Sequence, residues 1–253
     1  EYTHCDIPQA MFGLTGLTCP FSAHNYAARV QYQTSQSRQS CGCPAKNWTH
    51  RADKDTFLQY NSETPIVKTL SNKYLYPNGS NCMVAMMCNT GFNQEDSLVI
   101  NKGAIDRGLY NGCKFTFYKT ELEPNREEFA NPDITTTIDI KSACYDKLKN
   151  GIISKGVTVR KNDAIIGKVL KITKTNDDAN DTYKFADRSI IYKDEEPAIV
   201  HNVIVDRDED DEQFCKVILR KLRPVTIGDK FSSRAGQKGT CGILLDEADM
   251  PRT

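Results

Sequence analysis

Short apolar segments that recur between polar or turn-forming stretches, from about residue 112 to 222, limit the fold more than any other feature. Seven such segments lie at 114–118, 134–140, 157–160, 164–172, 189–192, 198–205 and 214–222. Strands this short and closely spaced are typical of an antiparallel β region. The same stretch offers one candidate helix, at 142–149. With 253 residues, the chain is long enough for one or two domains.

The flanking regions predict a different organisation. Residues 1 to about 75 have the pattern of loops and short helices, and 77–81 form a strong turn signal. The all-apolar run at 83–88 predicts a fully buried strand. A second strand is expected at 98–100, followed by a short helix at 102–107 that Gly108 ends.

Residues 228–239 combine three cations, three glycines and one acid, a composition suited to binding phosphates. Lys230 and Lys238 would lie roughly 26 Å apart in an extended chain. Both can therefore contact one phosphate group only if the loop doubles back. Gly236 and Gly239 allow such a return, because glycine tolerates positive φ. On composition alone, an ordinary basic surface loop is the alternative.

Formal charge is balanced, with 33 basic and 33 acidic residues, so no global field indicates nucleic acid. The charges are segregated instead. Residues 223–238 hold four cations and one acid, whereas residues 206–212 place six acids around one arginine. The acidic run is typical of a solvated loop, and we assign it no chemistry.

The ten cysteines are scattered and form no C-x-x-C pair, and there are four histidines. This pattern disfavours a structural zinc site and favours free thiols in a reducing compartment. No apolar run reaches the ~20 residues that a membrane span needs, and no signal-peptide pattern opens the chain, so no membrane partner is expected.

Three motifs point to one family. Residues 228–239 read GDKFSSRAGQKG, residues 91–97 read GFNQEDS and lead into the IDRG of 105–108, and residues 2–7 read YTHCDI, followed by P-F, H-N and Arg29. In this order, they resemble the GDKF-S-R-GQKG, GYNQEDS…IDRG and T-H-C/L-E/D-I…P-F…H-N…R segments of the second-largest (beta-type) subunit of multisubunit DNA-directed RNA polymerases. The D-M-P at 249–251 is similar to that family's E-D-M-P.

The resemblance implies a mainly β fold with some α, of the α+β class. Residues 1–111 would begin a hybrid-binding domain built on a double-psi β-barrel, 112–221 would be an inserted antiparallel wall (flap) domain, and 222–253 would complete the first domain with the lysine loop. Family subunits are several times longer, so we interpret the chain as a central excerpt of one.

The resemblance also implies roles for the cations. Nucleotide transfer from a triphosphate to an RNA 3′ hydroxyl builds negative charge, which proteins meet with two Mg²⁺ ions and Lys/Arg side chains. Lys230 and Lys238 match lysines that contact the RNA 3′ end and the phosphates of the incoming nucleotide. Arg29 matches an arginine that reaches its β and γ phosphates. The alternative for either lysine is an ion pair with Asp229 or Asp246.

Glu95 and Asp96 are the candidate metal ligands. Neighbours on a regular strand point to opposite faces, so both can approach one ion only from a turn, which Gly91 and Asn93 offer. The resemblance implies that Asp96, with Glu95 beside it, approaches the second, nucleotide-borne magnesium, often through water. A turn in which Asp96 caps the following segment is the alternative.

Arg38 and Gln39 lie where family members carry K/R-Q near the RNA strand, and Arg234 and Gln237 are candidate contacts to the backbone phosphates of the RNA–DNA hybrid. For the last two, a purely structural role is an equal alternative. The family's other magnesium is held by an N-A-D-F-D-G-D aspartate triad of the largest subunit, and no stretch here resembles it. The chain would therefore supply half an active site, with the largest subunit, other subunits, template DNA, nascent RNA and nucleoside triphosphates as partners.

Departures from the family pattern occur at Ala235, Phe92 and residues 36–42, and they would suit the polymerase of a large cytoplasmic DNA virus. The expected location is intracellular: the nucleus for a cellular enzyme, the cytoplasm or virion for a viral one. Two alternatives remain from sequence. One is a non-catalytic nucleic-acid-binding scaffold or paralogue, and the other is a polymerase with both barrels in one chain.

Overall fold

The computed structural model describes residues 12–43, 45–89, 91–172 and 185–252. Its α-helices are α1 (Gly13–Gly16), α2 (Ala27–Gln39) and α3 (Lys102–Asp106), and short 3₁₀ turns lie at Ser22–His24, Trp48–His50, Leu70–Lys73 and Glu247–Asp249. The strands are β1 Asp55–Gln59, β2 Ser97–Asn101, β3 Gly112–Glu121, β4 Glu127–Phe129, β5 Thr137–Ile138, β6 Leu148–Lys149, β7 Ile152–Ile153, β8 Thr158–Val159, β9 Ala164–Ile166, β10 Lys168–Lys171, β11 Phe185–Asp187, β12 Ile190–Ile191, β13 Ala198–Arg207, β14 Gln213–Arg223, β15 Lys230–Ser232 and β16 Lys238–Leu245. The predicted class, mainly β with some α, is confirmed.

These strands form four open sheets. Their orders are β1-β3-β14-β13-β8, β4-β10-β11-β5, β12-β9-β7-β6 and β15-β16-β2. None of them closes into a barrel within the described ranges, so the expected double-psi barrel is not seen there. The β15-β16-β2 sheet has only three strands, too few to curve round on itself.

The described part of the chain divides into two compact units, each with most of its contacts inside itself. The first comprises the described parts of 1–51, 57–113 and 222–253, and the second comprises 52–56 and the described parts of 114–221. Each has its own apolar core. That of the first unit is built on Ile100, Ile105, Val225 and Cys241. The larger core of the second unit consists of residues from several sheets, including Ile153, Val159, Ile165, Ile166, Tyr192, Val217 and Leu219.

The helix predicted at 142–149 is wrong. Cys144 forms a bridge with Asp163, and residues 148–149 are strand β6. Asn150 and Gly151 have φ of 50° and 78°, and they join β6 to β7 with Lys149 opposite Ile152. The backbone twist of such a two-residue Asn-Gly turn matches the twist of the two strands that it joins. This preference outweighs the local helical pattern.

The single strand predicted at 164–172 is divided at Gly167. β9 and β10 on its two sides belong to different sheets. A Cβ at Gly167 would lie 2.5 Å from the Ala130 carbonyl oxygen, so only glycine fits this crossing point.

The fully buried strand predicted at 83–88 is also wrong. Met83 and Met86 are 101% and 96% exposed, and the segment is irregular. The Met87 carbonyl accepts a hydrogen bond over 2.6 Å from a side chain, Asn93 Nδ2, and not from the backbone of a neighbouring strand. Among the described helices, none has the length and apolar character needed to cross a bilayer.

The strand and helix predicted after the G-F-N-Q-E-D-S motif are confirmed as β2 and α3. The Asn101 side chain accepts a hydrogen bond from the Ala104 backbone N–H over 3.2 Å and so caps the first turn of α3. Gly108, with φ of 109°, follows its last turn. β2 therefore has the Asp96 turn at its N-terminal end and α3 at its C-terminal end.

Candidate functional site

The lysine loop is a hairpin between β15 and β16. Lys230 lies opposite Thr240, and Ser232 opposite Lys238. Gly236 takes φ of 81°, and the Ser233 N–H donates to the Gln237 carbonyl over 2.9 Å to close the turn. The loop therefore doubles back, which is the condition that phosphate binding by both lysines required.

Strand alternation places the two lysines on one face of this hairpin. Phe231, between Lys230 and Ser232, packs towards the first unit's core and contacts Tyr110 with ring centroids 5.0 Å apart. Lys230 and Lys238 belong to the opposite, exposed face. They are diagonal neighbours in the register, a relation that corresponds to roughly 7–8 Å between such positions.

The parallel pairing of β2 with β16 brings the acidic pair to the hairpin. Ser97 lies opposite Thr240, and the Thr240 N–H donates to the Asp96 carbonyl over 2.9 Å. Glu95 and Asp96 have φ of 52° and 65°, both in the left-handed region. The pair therefore lies in a turn, so strand alternation does not force the carboxylates to opposite faces.

These elements enclose a cleft of about 190 Å³, whose lining residues are Glu95, Asp96, Lys230, Lys238, Gly239 and Thr240. Its volume is below that of pockets that enclose whole drug-sized ligands. Two acidic and two basic residues thus line one small opening, a composition that suits a phosphate group accompanied by a cation.

The structural alternative for the lysines is not observed. Asp229 pairs instead with Arg223 at 2.6 Å, and Asp246 pairs with Lys102 at 3.3 Å. Within the part of the chain that the structure describes, neither cleft lysine forms an ion pair. Both ammonium groups therefore remain available to an anionic ligand.

Arg29, in the first turn of α2, contacts the hairpin beside this cleft. Its Nη1 donates to the Gly236 carbonyl over 3.3 Å and to Gln237 Oε1 over 3.2 Å. The other end of that amide, Gln237 Nε2, donates to Asp96 Oδ1 over 3.1 Å. One glutamine therefore connects the predicted phosphate-binding arginine with the predicted metal-binding aspartate.

Arg234 lies at the tip of the hairpin and holds neighbouring loops. Its Nη1 donates to the Thr18 carbonyl over 3.1 Å, and its Nη2 donates to the Val67 carbonyl over 2.5 Å. Burial lowers the pKa of Arg234, but a guanidinium stays charged near neutral pH. These contacts favour the structural alternative for this residue.

Arg38 and Gln39 lie in the last turn of α2 and are exposed. With a rise of 1.5 Å per residue, Arg38 is about 13–14 Å along the helix axis from Arg29. The structure therefore does not bring these two residues to the cleft. The motif at residues 2–7 lies outside the described ranges.

Close approach of backbone to backbone explains two glycines of the loop. A Cβ at Gly236 would lie 2.5 Å from the Arg29 carbonyl oxygen, and one at Gly239 would lie 2.8 Å from that of Asp96. Sequence reasoning had assigned these glycines only to the turn. It also missed Thr240, although its position two residues after Lys238 on a strand would have placed it on the same face.

The residues present fit a magnesium ion accompanied by phosphates. Mg²⁺ prefers oxygen ligands, keeps several waters and commonly takes one or two carboxylates, which Glu95 and Asp96 can supply from the cleft wall. In the described ranges, a group of three close potential ligands occurs only at Glu121, Asp208 and Glu212 of the second unit. That group is separate from the predicted pair, and neighbouring acidic side chains of this kind are common without a bound ion.

Comparisons with known proteins agree with the motifs. Residues 15–253 match the family described as RNA polymerase Rpb2, domain 6. The whole chain is 35% identical to DNA-directed RNA polymerase II subunit 2 of Arabidopsis thaliana and covers 22% of it. The chain is 37% identical to subunit RPB2 of Encephalitozoon cuniculi and 34% identical to subunit Rpo2 of Sulfolobus acidocaldarius; each match includes 100% of this chain and covers 23% and 24% of the relative. The chain thus spans about a quarter of the length of these curated relatives.

Proposed function

Because the chain belongs to the family of RNA polymerase Rpb2, domain 6, we propose that it forms part of the catalytic centre of a DNA-directed RNA polymerase. In this proposal it assists transfer of ribonucleotides from triphosphates to the RNA 3′ end. The observation that supports this best is the shared cleft of Lys230, Lys238, Glu95 and Asp96. A scaffold that only holds nucleic acid has no need of two acids beside a phosphate-binding hairpin.

Lys230, Lys238 and Arg29 would bind the triphosphate and the RNA 3′ end. A lysine about 4 Å from a phosphate oxygen contributes on the order of a few kcal/mol at an effective dielectric near 20. Where that contact is stronger in the transition state, about 1.4 kcal/mol corresponds to tenfold in rate. The planar fork of Arg29 suits bidentate contact with phosphate oxygens.

Asp96, with Glu95 beside it, would hold the nucleotide-borne magnesium, directly or through water. When bound, that ion neutralises charge on the phosphates. The tightly held second magnesium would belong to the largest polymerase subunit, so we propose that this chain acts only in complex with it.

Arg38 and Gln39 would lie along the RNA–DNA hybrid, whereas the internal hydrogen bonds of Arg234 and Gln237 favour structural roles for those two residues. We expect contact with the backbone of the hybrid rather than with base edges, because base pairing reads the template. The other partners in this proposal are further polymerase subunits, template DNA and nascent RNA. The location would be intracellular, in the nucleus of a cellular host or in the cytoplasm or virion of a virus.

The test is Lys238→Ala in the complete polymerase. Elongation should be lost while assembly with the other subunits persists, since Lys238 is exposed and has no ion pair within the described chain. Lys73→Ala, which changes an exposed lysine of the same unit away from the cleft, is the matched control and should elongate normally. Normal elongation by the Lys238 variant would leave the scaffold as the better description.

A further inference from the structure

We propose that Gln237 is a positioning residue that fixes the spacing between Arg29 and Asp96. This inference rests on the proposed function and adds to it a residue that controls where the triphosphate and its metal ion lie relative to each other. It differs from the hybrid contact expected for Gln237, because both ends of the amide are already bonded within the protein.

The geometry is that of a single planar bridge. Arg29 Nη1 lies 3.2 Å from Gln237 Oε1, and Gln237 Nε2 lies 3.1 Å from Asp96 Oδ1. An amide carries an acceptor and a donor on one carbon atom, so it can accept from a guanidinium while it donates to a carboxylate. The distance between the two charged groups is then set by one rigid group.

Gln237 is itself held on both sides. Gly236 packs against the backbone of Arg29, and the Gly236 carbonyl accepts a second hydrogen bond from Arg29 Nη1 over 3.3 Å. Lys238, the next residue, lies opposite Ser232 in the hairpin. The backbone at 236–238 is thus fixed, and this fixes the position from which the Gln237 side chain extends.

The nearest substitutes for glutamine in shape or charge do not reproduce both bonds at the same length. Glutamate at this position would still accept from Arg29 but would place a second negative charge against Asp96. Asparagine has the right polar ends on a shorter stem, and methionine has similar length with neither bond. These differences allow the bridge to be tested with substitutions of graded effect.

The consequence concerns metal-dependent nucleotide binding. Groups that bond to a metal-binding carboxylate typically change metal affinity or activity about 10–100-fold when removed. Gln237→Met should therefore raise the Mn²⁺ concentration needed for half-maximal triphosphate binding about tenfold, and leave the affinity for the hybrid unchanged.

The experiment uses the complete polymerase on a template with RNA that ends in a 3′-deoxynucleotide, so that binding is read without turnover. Binding of the matched ribonucleoside triphosphate is titrated at a series of Mn²⁺ concentrations, and hybrid affinity and thermal stability are measured on the same preparations. The variants are Gln237→Met and Gln237→Asn. Gln31→Met, which changes an exposed glutamine of α2, is the matched control.

An increased Mn²⁺ requirement in both variants, with parent-like stability and hybrid affinity, would support the bridge. Weaker hybrid binding with an unchanged Mn²⁺ requirement would overturn it and restore the hybrid contact. So would parent-like behaviour of both variants, or loss of folding in both. Lys238→Ala in the same assay tests the proposed function separately: if it binds the triphosphate normally, the cleft is not the phosphate site, whatever Gln237 does.

Discussion

Gln237 Nε2 donates a hydrogen bond to the Asp96 carboxylate across 3.1 Å, although the two residues are 141 positions apart in the chain. Parallel pairing of β2 with β16 makes this contact, because it sets the turn before one strand beside the start of the other. Two motifs that are remote in sequence thus form one site within the first unit.

Asp96→Asn tests the negative charge of residue 96 separately from the position of its side chain. The asparagine oxygen can still accept from Gln237, so the hydrogen bond is kept while the negative charge is removed. We expect elongation by the complete enzyme to need at least about tenfold more Mg²⁺, with unfolding free energy within about 0.5 kcal/mol of the parent, as for other exposed sites. A Mg²⁺ titration of the elongation rate and a thermal melt measure the two effects. Asp246→Asn is the control, and a parent-like Mg²⁺ requirement in Asp96→Asn would remove Asp96 as a metal ligand.

Gly239→Ala should damage the cleft through packing alone. The added Cβ would lie 2.8 Å from the Asp96 carbonyl oxygen and 3.0 Å from Leu98 Cγ, so β2 and β16 would have to move apart. Overpacking of this kind typically costs about 1–3 kcal/mol. Chemical denaturation should show that loss, and Gly79→Ala, where a Cβ meets nothing within 4 Å, should not. Equal stability of the two variants would show that the strands adjust freely.

The hairpin and the acidic turn were accessible from sequence because their signals are local. Gly236 permits the return of the loop, and the fixed period of a strand then places Lys230 and Lys238 on one face. The turn at Glu95 and Asp96 likewise follows from neighbouring glycine and asparagine.

What the sequence did not predict depends on contacts between distant segments. The bridge from Arg29 through Gln237 to Asp96 needs the parallel pairing, which no local pattern encodes. The run at 83–88 is apolar throughout and has no periodicity. Its sequence therefore does not show whether neighbouring strands exist that would bury it. The sequence placed Gly167 in the middle of a strand. The close approach of the Ala130 backbone, which divides that strand, depends on the three-dimensional structure and leaves no local signal.

Asn101→Ala should weaken α3 by removal of its cap. The Asn101 side chain accepts from the Ala104 N–H, and loss of such a cap costs about 0.5–2 kcal/mol. Asn101→Asp keeps the acceptor and should retain parent-like stability. Denaturant titration of both variants measures the difference, and an equal loss in both would mean that the amide group, rather than the cap, matters.

Arg107 and Glu247 form a two-bonded ion pair, with contacts of 2.9 and 3.1 Å, that ties α3 to the 3₁₀ turn at Glu247–Asp249. The hydrogen bonds from Arg107 hold the pKa of Glu247 below its usual range. A carboxyl whose pKa is lower in the folded state stabilises that state above its unfolded pKa, and this contribution is lost as pH falls through the folded value. The Tm difference between the parent and Glu247→Gln should therefore be present at neutral pH and disappear in acid.

High salt should reduce the same difference, since the pair is exposed and the screening length falls to about 3 Å at 1 M. Arg107→Gln should reproduce the Glu247→Gln profile, because either change removes the same pair. Melting curves across pH, at low and high salt, measure all three proteins. A Tm difference that grew as pH fell would contradict the assignment, because protonation of Glu247 would then be strengthening the contact instead of breaking it.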